Sequence, residues 1–112
     1  MEIATREEKD VLIIDVSGDV DATNSQSLKT KIHEEIEDNK AKILINLSEV
    51  PYMDSAGLGL LVSCLKRANQ HFSDLKLFGL REEVKSVFTL TRLDKVFQIF
   101  EDEETALKSF QN

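Results

Sequence analysis

Hydrophobic and polar positions along the chain follow two periods, one typical of strands and one typical of helices. Short runs rich in β-branched residues predict strands, and apolar residues spaced three and four positions apart predict helices. The predicted strands are 2–6, Val11–Val16, Ile43–Leu47, Leu75–Phe78 and Val96–Phe100. The predicted helices end near Asp38, Asn69, Thr91 and Phe110. This order, β-β-α-β-α-β-α-β-α, predicts an α/β fold with a mixed, mostly parallel sheet of about five strands and about four helices.

Two local patterns refine this prediction. The strand Ile43–Leu47 is nearly all apolar, which indicates a central strand covered on both faces. Thr23 and Gln26 have the spacing of a capping box at the start of the first helix. Pro51 is the only proline and no linker interrupts the pattern, so a single domain is predicted over residues 1–112.

The charge balance and the cysteine content limit the classes of partner and the compartment. The formal net charge of −7 argues against nucleic acid as a partner, because binding it requires a basic face. A basic protein surface is a more natural partner, although composition alone favours solubility as the explanation of the acidity. No apolar run approaches the roughly 18 residues of a membrane span, and the N-terminus does not have the pattern of a secretory signal. Cys64 is the only cysteine and lies within an apolar helical pattern, so we expect a buried thiol and a cytoplasmic location.

The segment between the third strand and the second helix carries the candidate chemistry. Ser55 falls on this strand-to-helix turn, at or just before the helix N-terminus. A hydroxyl there lies at the positive end of the helix dipole, beside N–H groups that lack intrahelical partners, so the position tolerates a phosphate. We hypothesise that Ser55 is a reversible phosphorylation site that switches a protein–protein contact. Spacing alone leaves open the alternative that Ser55 or Asp54 serves only as an N-cap.

Patterns that would indicate an enzyme are incomplete. A nucleophile elbow requires glycine two residues before the serine, where this chain has Met53. A phosphoacceptor aspartate at the end of the central strand is replaced by Asn46, whose amide is no nucleophile. Gly57 and Gly59 lack the third glycine of a dinucleotide-binding turn, and no clustered histidines or cysteines suggest a metal. We therefore predict no catalytic residue, no cofactor and no metal site.

Two segments together resemble a known family. Residues 18–22 read Gly-Asp-Val-Asp-Ala after a strand, and residues 53–59 read Met-Asp-Ser-Ala-Gly-Leu-Gly. With the order of elements, they resemble the bacterial anti-sigma factor antagonists, which are single STAS domains, over nearly the whole chain. The resemblance implies a STAS-type fold.

The same resemblance implies a partner-switching function without catalysis by this chain. The unphosphorylated protein would bind an anti-sigma factor that is also a serine kinase, and a sigma factor would be released. Phosphorylation at Ser55 would separate the complex, and a PPM-type phosphatase would restore the serine. Ala56 stands where family members often have a second serine or threonine, which leaves a single acceptor. The implied partner-binding residues are Asp21, Asp54, Ser55, Ala56, Gly57 and Leu58.

Two other function classes remain open from the sequence. One is a STAS interaction module within another complex, either a stress-signalling scaffold or a lipid-transport assembly. The other is an enzyme, either a nucleotide-binding protein or a hydrolase, against which the incomplete motifs argue.

Overall fold

Five strands pair into one sheet in their sequence order in the computed structural model, which describes residues 1–111. The strands are β1 (Glu2–Glu8), β2 (Val11–Ser17), β3 (Lys42–Glu49), β4 (Asp74–Phe78) and β5 (Ile99–Phe100). β1 is antiparallel to β2, and the remaining neighbours are parallel. The predicted mixed, mostly parallel sheet is therefore confirmed. The predicted domain ends at Asn112, which lies outside the described residues.

Within residues 1–111, four α-helices connect or follow the strands, as the apolar spacing predicts. They are α1 (Ser25–Glu37), α2 (Ser55–Gln70), α3 (Glu82–Leu90) and α4 (Glu103–Ser109), and a short 3₁₀ turn covers Leu93–Lys95. Because parallel strands require a crossover, α1 and α2 each return the chain to the starting edge of the sheet. None of the helices within residues 1–111 has the length and apolar character that crossing a bilayer requires.

Apolar side chains cover both faces of the sheet. On one face, Ile45 of β3 belongs to a buried cluster that includes Leu28 of α1 and Leu61 of α2. On the other face, Leu44 of β3 belongs to a second buried cluster with Phe110, just after α4. The prediction that the third strand is covered on both faces is confirmed.

The beginning of α1 differs from the predicted capping box. Asn24 is the N-cap of α1 and makes no side-chain capping bond. Thr23 instead donates both its backbone N–H and its hydroxyl to Oδ1 of Asp21. The predicted pairing of Thr23 with Gln26 is therefore wrong, because short polar side chains in this loop bond to groups of the loop itself rather than to the helix.

Candidate functional site

The two segments singled out by sequence lie beside each other at one end of the sheet. Residues 18–24 form the β2–α1 loop and residues 50–54 form the β3–α2 loop. Val20 and Met53 form an isolated parallel bridge. The Val20 N–H donates to the Tyr52 carbonyl at 3.0 Å, and the Asp54 N–H donates to the Val20 carbonyl at 3.2 Å. The loops meet because β2 and β3 are parallel neighbours, whose carboxyl ends lie at the same edge of the sheet.

Asp54 connects the start of α2 to the β2–α1 loop. It is the N-cap of α2, and its Oδ1 accepts hydrogen bonds from the backbone N–H groups of Ala56 and Gly57 at 2.9 and 3.1 Å. Its Oδ2 accepts a third bond from the Ala22 N–H at 3.1 Å. One carboxylate therefore satisfies two unpaired donors of the helix and holds the neighbouring loop against it.

Ser55 is the first residue of α2 and is exposed. Because Asp54 supplies the capping oxygen, the Ser55 hydroxyl is not needed to cap the helix. It lies at the positive end of a helix of 16 residues, where negative charge is favoured. This arrangement is suited to accept a phosphoryl group that another protein delivers.

Asp21 adds negative charge to the β2–α1 loop. Its side chain accepts bonds from the hydroxyl and the backbone N–H of Thr23, and these bonds hold the pKa of the Asp21 carboxyl below its ordinary value. Asp21 is therefore ionised at neutral pH, and its loop is bonded to the β3–α2 loop that precedes Ser55.

Gly57 and Leu58 face the interior rather than the solvent. A Cβ at Gly57 would lie 2.5 Å from Met53 Cγ and 3.1 Å from both Val20 Cγ1 and the Val20 carbonyl oxygen, so any side chain there would force Met53 to shift and would crowd Val20. Leu58 is 9% exposed and belongs to the main core cluster, while Ala56 is half-buried. Partner contact by these three residues stays a prediction.

Two exposed residues of the same region, Tyr52 and Gly59, are not among the partner-binding residues predicted from the sequence. Tyr52 is 54% exposed in the β3–α2 loop. Gly59 is exposed on α2, and a Cβ there would meet no atom within 4 Å other than those of its chain neighbours and the adjacent helix backbone. Tyr52 could have been recognised as a candidate site residue from its position directly before the Met-Asp-Ser motif. Gly59 could have been recognised because glycine is unfavourable inside a helix.

Known proteins resemble this chain in sequence and in fold. A model of the STAS domain family matches residues 2–106. An anti-sigma-B factor antagonist from Listeria monocytogenes is 37% identical over 92 residues, which cover 80% of this chain and 79% of that protein. A candidate anti-sigma factor antagonist from Thermotoga maritima has a crystal structure that superposes with a TM-score of 0.93 at 25% identity, over 98% of this chain and 95% of its own. The Bacillus cell fate determinant SpoIIAA, in its phosphorylated form, shares the fold with a TM-score of 0.75 at 19% identity, over 98% of this chain and 100% of its own.

Proposed function

We propose that this chain, which belongs to the STAS domain family, is an anti-sigma factor antagonist switched by phosphorylation of Ser55. The name of the Listeria relative supports the antagonist role. The unphosphorylated form binds an anti-sigma factor with serine kinase activity, and a sigma factor is released. The kinase transfers the γ-phosphoryl group of ATP to the Ser55 hydroxyl, and a PPM-type phosphatase removes it.

The proposal rests on one observation: two adjacent residues divide the capping of α2 and the presentation of an exposed hydroxyl between them. Asp54 caps α2, and Ser55 presents an exposed hydroxyl one position later. Phosphorylating Ser55 therefore leaves the capping bonds intact. The helix terminus tolerates the added charge, so the modified protein is expected to stay folded.

A phosphate at this position changes the charge of the surface that the partner meets. It adds about −1.5 to −2 charges at neutral pH, beside the carboxylates of Asp21 and Asp54. Repulsion and desolvation of about 2–3 kcal/mol in the complex lower affinity roughly a hundredfold, which is enough for a switch. No change of fold is needed for this effect.

The proposal is tested with the cognate anti-sigma factor kinase from the native cell. Incubation with ATP, followed by mass spectrometry of the peptides, is expected to place a phosphate on Ser55 in the wild type and in the control variant Ser63→Ala. Ser55→Ala is expected to bind the kinase and to resist phosphorylation. Calorimetry is expected to show weaker binding for Ser55→Asp, although its single carboxylate carries less charge than a phosphate. Equal affinities for the wild type and the phosphorylated protein would contradict the proposed switch.

A second measurement separates the switch from unfolding. Backbone NMR shifts of β2 are expected to be the same before and after phosphorylation, because β2 lies in the core of the sheet. Large shift changes across β2 would mean that the phosphate alters the fold itself.

A further inference from the structure

A cavity of about 460 Å³ lies between α3 and the carboxyl ends of β3, β4 and β5. Gly79 and Glu101, which directly follow β4 and β5, line it together with Ser48 near the end of β3. Open α/β sheets bind ligands outside the carboxyl ends of their strands, and the volume is within the range of small-molecule sites. No residue of the β2–α1 loop, the β3–α2 loop or the first turn of α2 lines this cavity, so it is separate from the site at Ser55.

Part of the lining is apolar. Leu80, Phe88 and Ile99 all line the cavity. Phe88 is fully buried in the main core cluster, and the half-buried Leu80 and Ile99 pack against that cluster, so this wall is a fixed part of the domain. An occupant with a hydrocarbon or aromatic portion would bury that portion here.

Carboxylates outnumber cations around the same cavity. Three acidic side chains line it, those of Glu82, Asp94 and Glu101. Within residues 1–111, Lys85 is the one cation in the lining, and its Nζ lies 3.7 Å from Oε1 of Glu101, so these two charges offset each other. The carboxylates of Glu82 and Asp94 are then left to favour a positively charged occupant.

Asp94, in the 3₁₀ turn after α3, is the half-buried carboxylate among these. Its Oδ1 is enclosed, and no group within residues 1–111 donates a hydrogen bond to it. A partly buried carboxylate oxygen without a donor is unfavourable, and a cation beside the carboxylate would reduce this cost.

The arrangement of the acidic groups distinguishes between a metal ion and an organic cation. A metal ion requires several ligands at one point, and within the described part of the chain no three acidic, histidine or cysteine side chains come together to hold one. An organic ammonium ion requires only one carboxylate for its charge and an apolar wall for its hydrocarbon.

We propose that this cavity binds a small organic cation, whose ammonium group pairs with Asp94 and whose apolar portion packs against Leu80, Phe88 and Ile99. The proposal is independent of the function assigned to Ser55, because the cavity includes none of the residues around that serine. It gives the domain a binding site for a small molecule in addition to its contact with a protein.

The probe is 2-phenylethylamine, which is a cation at neutral pH, and 2-phenylethanol is a neutral compound of nearly the same size and shape. Each is titrated into the isotope-labelled chain up to about 10 mM and followed by the backbone NMR signals. The amine is expected to shift the signals of residues 79–80 and 99–101 and to bind about tenfold more tightly than the alcohol, because only the amine forms a charge-assisted bond.

Asp94→Asn removes the charge at nearly the same side-chain volume. It is expected to weaken binding of the amine about tenfold and to leave binding of the alcohol unchanged, a difference that a merely structural role of Asp94 would not produce. Glu83→Gln is the matched control, because Glu83 is exposed on α3 beside Glu82 but does not line the cavity, and it is expected to bind the amine like the wild type. Glu82→Gln is measured in parallel: Glu82 is exposed, so the variant is expected to fold and to weaken binding of the amine but not of the alcohol.

Four results would overturn the proposal. They are equal affinities for the amine and the alcohol, undiminished binding of the amine by both Asp94→Asn and Glu82→Gln, equal weakening by Asp94→Asn and Glu83→Gln, and no shift of the cavity signals at about 10 mM amine. Equal weakening by the last pair would mean that the amine responds to the net charge of the chain rather than to this cavity. None of these results bears on the phosphorylation of Ser55.

Discussion

Asp54→Ala removes the carboxylate that accepts three backbone hydrogen bonds at the junction of α2 and the β2–α1 loop. Loss of an N-cap costs about 1–2 kcal/mol, and loss of the bond from Ala22 costs about 1 kcal/mol more. The expected decrease in the free energy of unfolding is therefore about 2–3 kcal/mol. For a domain of this size, each kcal/mol of lost stability lowers the melting temperature by about 4 °C. The melting temperature of Asp54→Ala is therefore expected to fall by about 8–12 °C.

Thermal and urea denaturation followed by circular dichroism measure this loss directly. Asp54→Asn keeps one acceptor oxygen, so we expect about half the effect. Asp102→Ala is a matched control, because Asp102 caps α4 through a single bond from the Thr105 N–H at 2.8 Å and is expected to cost only about 1 kcal/mol. If Asp54→Ala is no more destabilising than Asp102→Ala, Asp54 does not hold the two loops together as argued.

Three further predictions concern the interior of the domain. Gly57→Ala is expected to lower the free energy of unfolding by about 2 kcal/mol in urea, because its Cβ would lie 2.5 Å from Met53 Cγ; an unchanged midpoint would contradict this crowding. Burial raises the pKa of the Cys64 thiol to about 12, so a thiol reagent at pH 8 is expected to label Cys64 only after unfolding, and rapid labelling of the native chain would refute this. Burial lowers the pKa of His33 below its ordinary 6.5, so protonation favours the unfolded state. Stability is therefore expected to decline as pH falls below about 6.5, and the same decline in His33→Gln would exclude His33 as its source.

The order of the helices and strands could be predicted from the sequence because the apolar residues of each recur at a clear helical or strand spacing. Leu28, Ile32 and Ile36 mark one face of α1, and all three are buried. The last strand was predicted over Val96–Phe100 but pairs only at Ile99 and Phe100. Phe97 instead packs edge-to-face on Phe88 with ring centroids 5.8 Å apart, so this apolar residue serves the core without joining the sheet.

The candidate site could be predicted only in part. Its motif located the turn, but Asp54 and Ser55 are both good capping residues, and only the backbone geometry assigns the cap to Asp54. The bond between Ala22 and Asp54 joins residues 32 positions apart, so no local pattern contains it. The space around Gly57 and Gly59 likewise depends on the packing of the loops, and identical residue types two positions apart have opposite surroundings.

The double connection between the two loops, through the Val20–Met53 bridge and the Asp54 carboxylate, has a consequence for signalling. Under the proposed function, the Ser55 hydroxyl follows two loops that are already bonded to each other, so these loops need not rearrange when the phosphate is added or removed. This chain then adds no slow conformational step of its own, so the response time is set by the opposing kinase and phosphatase.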